Sequence, residues 1–277
     1  YFKFNETTDS RITSKEETLL TYIKKVYKYK FLVYTLAIRE VKSFYVNTYL
    51  GIISLVIQPL VALIIYTIFF DILLGIKAGD TPYPLFVFPG VMVWFHFIQI
   101  IYTTGSSLQN SQNIIHRIAF PKLILPLSQI MYSLLSVGIS FILILIISFY
   151  YGNYPTIRII FFPAIVLLNI IIAFSIGIWL SALTIKYTDL QNIIPFLCNF
   201  LIWISPVFYP STIIPKNIEY IIYYNPITTV LCLYRWCLVG TPLPHDINFF
   251  VLIPIFITFI CGVLYFKKID QNIIDHI

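Results

Sequence analysis

Six stretches of this chain are so apolar and so long that a bilayer interior suits them: about 49–70, 84–102, 125–150, 159–185, 193–209 and 248–266. A helical span needs about 20 mostly apolar residues. Hydrocarbon offers no partner to a backbone N–H or C=O, so each stretch is expected to be a helix that satisfies its own backbone. Composition closes off the soluble alternative. Hydrophobic residues make up 59% of the 277 and charged ones 11%, against about 25% charged in a soluble domain. The expected fold class is all-α: a polytopic integral membrane protein with six transmembrane helices per chain. Its parts are an N-terminal segment, 1–45, and a transmembrane domain, 46–277.

An even number of spans puts both termini on one side, and Lys and Arg decide which. Nine of the 18 precede the first span, from Lys3 to Lys42. The loop after the second span adds Arg117 and Lys122, the loop after the fourth Lys186, and the tail Lys267 and Lys268. The opposite face holds only Lys77, Arg158, Lys216 and Arg235. Positive residues collect in the cytoplasm, so both termini are expected there. The net charge of +6 then reflects topology and not a nucleic-acid partner.

The first 30 residues are polar and hold no apolar core of a secretion signal. The start at Tyr1 rather than Met is what a piece of a longer reading frame would show. From about Lys15, Leu19, Tyr22, Ile23, Val26 and Tyr27 recur at helical spacing with Lys24, Lys25, Lys28 and Lys30 among them. The pattern reads as a basic amphipathic helix in the headgroup plane, or else as a solvated lead-in to the first span; the apolar spacing favours the helix.

The residues that carry catalysis or ion coupling are sparse. Proton- or sodium-coupled carriers place carboxylates inside spans. Here Asp71, Asp80, Asp189, Glu219 and Asp246 all fall between spans or at their edges. Gln58, Gln99, Gln129, Asn169 and Asn199 are the large amides well inside, suited to joining helices. Cys198, Cys232, Cys237 and Cys261 stand singly, without metal spacing, and read as small buried residues. His96 lies within a span with no acidic neighbour in sequence, the pattern of a packed, hydrogen-bonded imidazole. No acid–base pair or metal-ligand set emerges, so no catalytic, cofactor-binding or metal-binding residue is expected.

Aromatic residues reach 18%, and many lie inside spans. Core and interfacial packing accounts for most. A second reading makes Tyr66, Phe69, Phe70, Trp94 and Phe97 candidates for a pore lining along which sugar rings slide, although helical spacing forbids all five from facing one way.

The order of short motifs adds a resemblance. "IREVKSFYVNTYLGIISLVIQPL" presents Arg39-Glu40, Tyr45, Leu50-Gly51 and Gln58-Pro59; "PYPLFVFPGVMVWFHF" presents Phe86, Gly90 and Trp94. "NSQNIIHRIAFPKLILPL" carries Asn113, Phe120-Pro121 and Pro126, and "LTIKYTDLQNIIPFL" carries Tyr187, Asp189 and Pro195. "SPVFYPSTIIPKNIEYIIYYNP" adds Ser205-Pro206, Tyr209-Pro210, Pro215 and Asn225-Pro226, and "YFKKIDQNIIDHI" closes the set. Together these resemble the permeases of the polysaccharide and polyol-phosphate export family, the O-antigen and teichoic-acid export permeases of the type-2 class of ABC exporters. The likeness runs from about residue 36 to the end. Phe44, where the family usually has a basic residue, and Leu55, where it often has Trp, depart from it.

The resemblance implies an external re-entrant segment at about 210–240, two short helices of roughly Pro215–Tyr224 and Pro226–Val239 with a tip at Asn225-Pro226. Proline geometry agrees: the residue before Pro avoids the helical region and Pro suits a first helical turn. Tyr209, Asn225, Pro226, Tyr234 and Arg235 would form an external gate, with Arg235 facing water, a phosphate-bearing substrate or a cluster of carbonyls. The resemblance also implies a coupling helix within Ser106–Lys122, where Asn110, Gln112, Asn113 and Arg117 offer a polar docking surface to an ATPase and Ile114, Ile115 and Ile118 anchor it. Arg39 and Glu40 would mark where the chain enters the membrane.

No G-x-x-x-x-G-K-[ST] occurs, so ATP and Mg are expected on a separate cytoplasmic subunit. The resemblance implies a homodimer with two such ATPase subunits in the inner membrane of a bacterium, in contact with membrane lipid. The expected function is ATP-driven export of a lipid-linked polysaccharide, O-antigen-like, capsular or teichoic-acid-like, and not an enzyme activity. The alternatives are an exporter of small hydrophobic compounds on the same fold and a membrane-embedded transferase acting on lipid-linked sugars.

Overall fold

A computed structural model describes residues 18–46, 51–210, 213–244 and 247–270. The stretch 1–17, the start of the first expected span at 49–50, Asp246 and the tail 271–277 lie outside the described residues. The described chain is helical throughout, with no β-strand. In order the α-helices are α1 (Leu19–Lys28), α2 (Lys30–Val46), α3 (Gly51–Tyr66), α4 (Tyr83–Gly105), α5 (Gln112–Ile115), α6 (Ile124–Tyr150), α7 (Phe162–Thr184), α8 (Leu190–Ile204), α9 (Lys216–Tyr223), α10 (Pro226–Leu238) and α11 (Leu252–Asp270).

Five helical stretches are long and apolar enough to cross a membrane: Ile53–Leu73, Tyr83–Gly105, Ile124–Tyr150, Ile157–Thr184 and Phe249–Asp270. The protein is thus a multi-pass membrane protein. The fifth expected span, 193–209, is instead the shorter α8, which stops at Ile204. The cause is Pro206. Ser205, just before it, is forced to an extended backbone (φ −91°, ψ 136°), because the proline ring clashes with a helical predecessor. The N-terminal lead-in also divides: α1 is capped by the Thr18 hydroxyl and breaks at Tyr29 before α2 begins. The first span extends past 70 as a π-helical turn, Thr67–Leu73.

Helix α4 is the axis of the bundle. It packs against α7, α6, α10, α3 and α8, and most of its side chains are buried on every face. That explains its nearly continuous apolar sequence: a helix surrounded by others has no polar face. Small residues let neighbours close in. A Cβ on Gly177 of α7 would stand 2.8 Å from Thr104 Cβ of α4, and one on Gly262 of α11 would stand 2.7 Å from Ile178 of α7. Without a hydrophobic force between helices in lipid, such close backbone approach is what holds them. By contrast, α3, α6, α8 and α11 expose rows of Ile, Leu and Phe, the surface a lipid or a further helix covers.

Loop contacts sort into two ends. At one end Tyr83 Oη donates to Phe208 O (2.5 Å), Asn153 Nδ2 to Val239 O (3.1 Å) and Arg158 Nη1 to Gly240 O (3.2 Å). At the other, Thr184 Oγ1 donates to Gly105 O (2.9 Å) and Tyr22 Oη to Asp270 Oδ2 (2.7 Å).

Candidate functional site

At the first of these ends the Asn-Pro break resolves into a helix cap. Asn225 Oδ1 accepts from Ile227 N (3.1 Å) and its Nδ2 donates to Ser205 Oγ (3.0 Å), while Pro226 occupies the first turn of α10. Two short helices meet at that turn, within a residue or two of the expected bounds. Beyond it α10 runs inward rather than along the surface, and ten of its thirteen residues are buried.

Arg235 is one of them, 5% exposed. Of the three surroundings open to it in the sequence, the carbonyl cluster is the one it occupies. Its Nε donates to Phe86 O (3.0 Å), and one Nη donates to both Pro206 O (2.8 Å) and Val207 O (2.7 Å). The guanidinium also lies 3.7 Å from the centre of the Phe86 ring. A buried cation with no carboxylate partner among these contacts is costly unless its N–H groups are met; here three backbone carbonyls and a ring face meet them. The Pro206 and Val207 carbonyls are themselves freed by the break at Ser205–Phe208, where the helix ends inside the protein. The planar fork of Arg suits divergent carbonyls as the point charge of Lys does not.

The other proposed gate residues take unequal parts. Tyr234 is 1% exposed and packs edge-on against Phe162 at 5.5 Å, as a core residue. Tyr209 is partly exposed and its hydroxyl donates to Trp203 O (2.9 Å).

Between α3, α4, α6 and α8 lies a pocket of about 330 Å³. It is lined by Ser54 and Gln58 of α3, His96, Gln99 and Tyr102 of α4, Tyr132, Ser136 and Ser140 of α6, and Asn199 of α8. The local reason is periodicity. Residues three or four apart share a helix face, and Ser54/Gln58, His96/Gln99/Tyr102 and Tyr132/Ser136/Ser140 each keep that spacing. Read singly, the amides look like helix-joining groups; the spacing of hydroxyls around them was the signal of a shared wall. His96 is bonded as expected, its Nδ1 3.0 Å from Asn169 Nδ2 and its Nε2 3.2 Å from Ser133 Oγ. All the named polar groups are uncharged or neutral-capable, and amides and hydroxyls both donate and accept. Such a wall can exchange hydrogen bonds with a hydroxyl-rich molecule without a strong fixed charge.

None of the five aromatic candidates lines this pocket; its aromatic members are Phe95, Tyr102 and Tyr132. Trp94 and Phe97 are 2% and 4% exposed and pack on one another. Tyr66 and Phe70 are half-buried against Phe208, at 5.1 and 4.7 Å between ring centres. Phe69 is exposed.

At the opposite end, the expected coupling segment forms a turn of 3-10 helix, Gln109–Ser111, and the single-turn α5. Asn110, Gln112, Asn113, Arg117 and Ile118 are exposed, Ile114 is half-buried and Ile115 is buried. Arg39 and Glu40 pair on α2 at 2.6 Å, both partly exposed.

An all-helical, multi-pass chain with an uncharged polar pocket between its spans is the architecture of a membrane transport protein. The chain belongs to the ABC-2 type transporter family, whose profile matches residues 32–239, and its resemblance to the type-2 ABC export permeases is therefore real. It is 25% identical to the O-antigen export system permease protein RfbA of Myxococcus xanthus over 219 residues, 78% of this chain and 84% of that one. A protein of the same description from Klebsiella pneumoniae is 25% identical over 235 residues, 84% of this chain and 90% of the relative. The polysialic acid transport protein KpsM of Escherichia coli is 24% identical over 209 residues, 74% and 80% of the two chains.

Proposed function

We propose that this chain is the transmembrane subunit of an ATP-driven exporter that moves a lipid-linked polysaccharide out of a bacterial cytoplasm. Family membership supports the transport class, and the names of three relatives, two O-antigen export permeases and a polysialic acid transport protein, support a polysaccharide cargo. The observation that carries the reading is the pocket of Gln58, Gln99, Asn199 and their hydroxyl neighbours, since sugar hydroxyls need many weak, exchangeable hydrogen bonds in an otherwise apolar path. In this reading α8, about 22 Å long at 15 residues, is the sixth crossing, thinned to match the buried loop above it. Both termini are cytoplasmic. Helices α9 and α10 are the external re-entrant pair, with α10 buried in protein as backbone at membrane depth must be and α9 exposing Tyr220 and Ile221. Two copies assemble with two ATPase subunits that hold ATP and Mg, docked at Asn110–Ile118. Tyr66, Phe69 and Phe70, near the external end, border the exit.

The test is export in cells whose own permease gene is deleted, complemented with the wild-type chain or with Gln58→Leu/Gln99→Leu/Asn199→Leu. The triple variant is expected to reach the membrane in normal amount and to lower surface polysaccharide roughly tenfold, as lost hydrogen bonds of about 0.5–1.5 kcal/mol each accumulate. Normal export by a folded triple variant would remove the pocket from the path. A wild-type chain that restores no surface polymer would remove the cargo assignment.

A further inference from the structure

The seam between α3 and α6 holds a second cavity, nearer the Arg235 end than the polar pocket and opposite to it in chemistry. Its volume is about 410 Å³. Leu63 and Ile147 form its floor, and Ile64, Ile68 and Ile146 stand exposed at its rim. Thr67 is the first residue of the π-helical turn, and its hydroxyl is spent on Leu63 O (2.7 Å). Among the described residues no charged side chain lines this groove. A charged group would lose its water there and find no partner in return.

Both walls continue into the polar pocket. Gln58 precedes Leu63 by five positions on α3, and Ser140 precedes Ile146 by six on α6. At 1.5 Å per residue these steps are about 7.5 and 9 Å. The two helices run the same way. The span of α3 ends where Tyr66 and Phe70 meet Phe208, and just past α6 Asn153 donates to Val239 O. One seam therefore passes from amides and hydroxyls to hydrocarbon within two helical turns.

The two borders of the groove say what covers it. On the outside it is continuous with the exposed apolar rows of α3 and α6, which in a multi-pass protein meet acyl chains. On the inside it is continuous with the polar pocket. A molecule that is hydrocarbon at one end and hydroxyl-rich at the other matches both halves at once. Short π-helical turns recur at functional sites, and the one here begins in the wall of the groove. We infer that the groove takes the hydrocarbon tail of the exported lipid-linked polymer while the polar pocket takes its sugars. The inference rests on the cargo reading proposed above and adds the place where the tail is held.

The experiment uses the full chain in cells whose own permease gene is deleted. The photoreactive residue p-benzoylphenylalanine replaces Ile146 in one variant and, in another, Phe256 of α11, which is exposed but outside the groove. After irradiation the chain is purified, and its adducts are read by polysaccharide blot and by mass spectrometry. The Ile146 variant should carry lipid-linked polymer, and the Phe256 variant phospholipid only. Adding Ile64→Trp fills the rim and should lower the polymer adduct roughly tenfold by removing hydrocarbon contacts, with the chain at normal amount in the membrane. Phospholipid alone at both positions, in cells that display surface polymer, overturns the tail site and leaves the cargo reading standing. An Ile146 adduct to a second copy of the chain overturns it too, and gives the groove to the dimer. If the wild-type chain restores no surface polymer, the cargo reading fails and the tail assignment falls with it.

Discussion

The Arg235 guanidinium lies 3.7 Å from the centre of the Phe86 ring while its Nε donates to the carbonyl of the same residue at 3.0 Å. One residue of α4 therefore holds both the face and the edge of the cation, and the Pro206 and Val207 carbonyls take the rest. This ties α10, α4 and the end of α8 into one joint. If the joint is what matters, Lys cannot replace Arg, because its ammonium keeps the charge but not the fork. Both Arg235→Lys and Arg235→Met are expected to lose about 2–4 kcal/mol of stability, measured as thermal unfolding in detergent. A residue whose role was to attract an anionic cargo would behave otherwise: Lys would preserve both stability and export.

Gly90 belongs to the same joint. A Cβ there would stand 2.6 Å from Val207 O and 3.3 Å from Nη2 of Arg235. Gly90→Ala should therefore push away a carbonyl that Arg235 holds, at about 1–3 kcal/mol. In a Gly90→Ala/Arg235→Met double variant the losses should fall short of their sum, since the second change removes a contact the first has already damaged. Strict additivity in the unfolding data would mean that the two residues act separately.

His96 offers a second buried relay. Asn169 Nδ2 donates to its Nδ1, so Nε2 carries the proton toward Ser133 Oγ, which in turn donates to Ile130 O (2.7 Å). Asn169→Leu strands a buried acceptor and is expected to cost about 1–3 kcal/mol. His96→Phe/Asn169→Leu should cost less than the two single changes added together. A double variant that loses the full sum would show that the pair is not coupled.

What the sequence made legible follows from the range of each interaction. Proline acts on its own backbone and on its predecessor's, so the break at Asn225-Pro226 and the start of α10 can be read directly, whereas the Asn225 cap appears only in the structure. Hydropathy sets the end of α8 too late because Ser205-Pro206 sits in a run that stays apolar, and apolar character alone does not register a forced extended residue. Arg235 was ambiguous because its partners are backbone carbonyls of residues 28, 29 and 149 positions away, which no side-chain pattern encodes. Trp94 and Phe97 were candidates for a pore lining because α4 is apolar all round, so nothing in its periodicity says that it is the central helix. The polar pocket was half visible: each stripe keeps helical spacing, but only packing brings four helices to one wall.

The buried run of α10 sharpens an accessibility experiment. With Cys198, Cys232, Cys237 and Cys261 replaced, Tyr224→Cys should react with a membrane-impermeant thiol reagent added outside intact cells, because Tyr224 is 63% exposed at the turn before α10. Leu231→Cys, at a fully buried position, should stay unlabelled under the same conditions. Labelling of Tyr224→Cys only after permeabilisation would put this turn on the cytoplasmic side and reverse the topology.

The proposed contact with an ATPase decides the transport class, and burial separates the residues of the proposed docking segment that are open to a partner from those that are not. Arg117 and Ile118 are exposed, whereas Ile115 points into the protein at 4% exposure. Arg117→Asp/Ile118→Asp should leave the permease folded and reduce co-purification with the ATPase of its gene cluster roughly tenfold or more, by placing two new negative charges on the proposed docking surface. Ile115→Asp should instead unfold the chain, because it buries an unpaired carboxylate. The wild-type chain should hold its ATPase through purification and depend on ATP hydrolysis for export. A wild-type chain that binds no ATPase and still exports without ATP would leave the movement of cargo driven by another source, and the exporter mechanism proposed for this protein would fail with it.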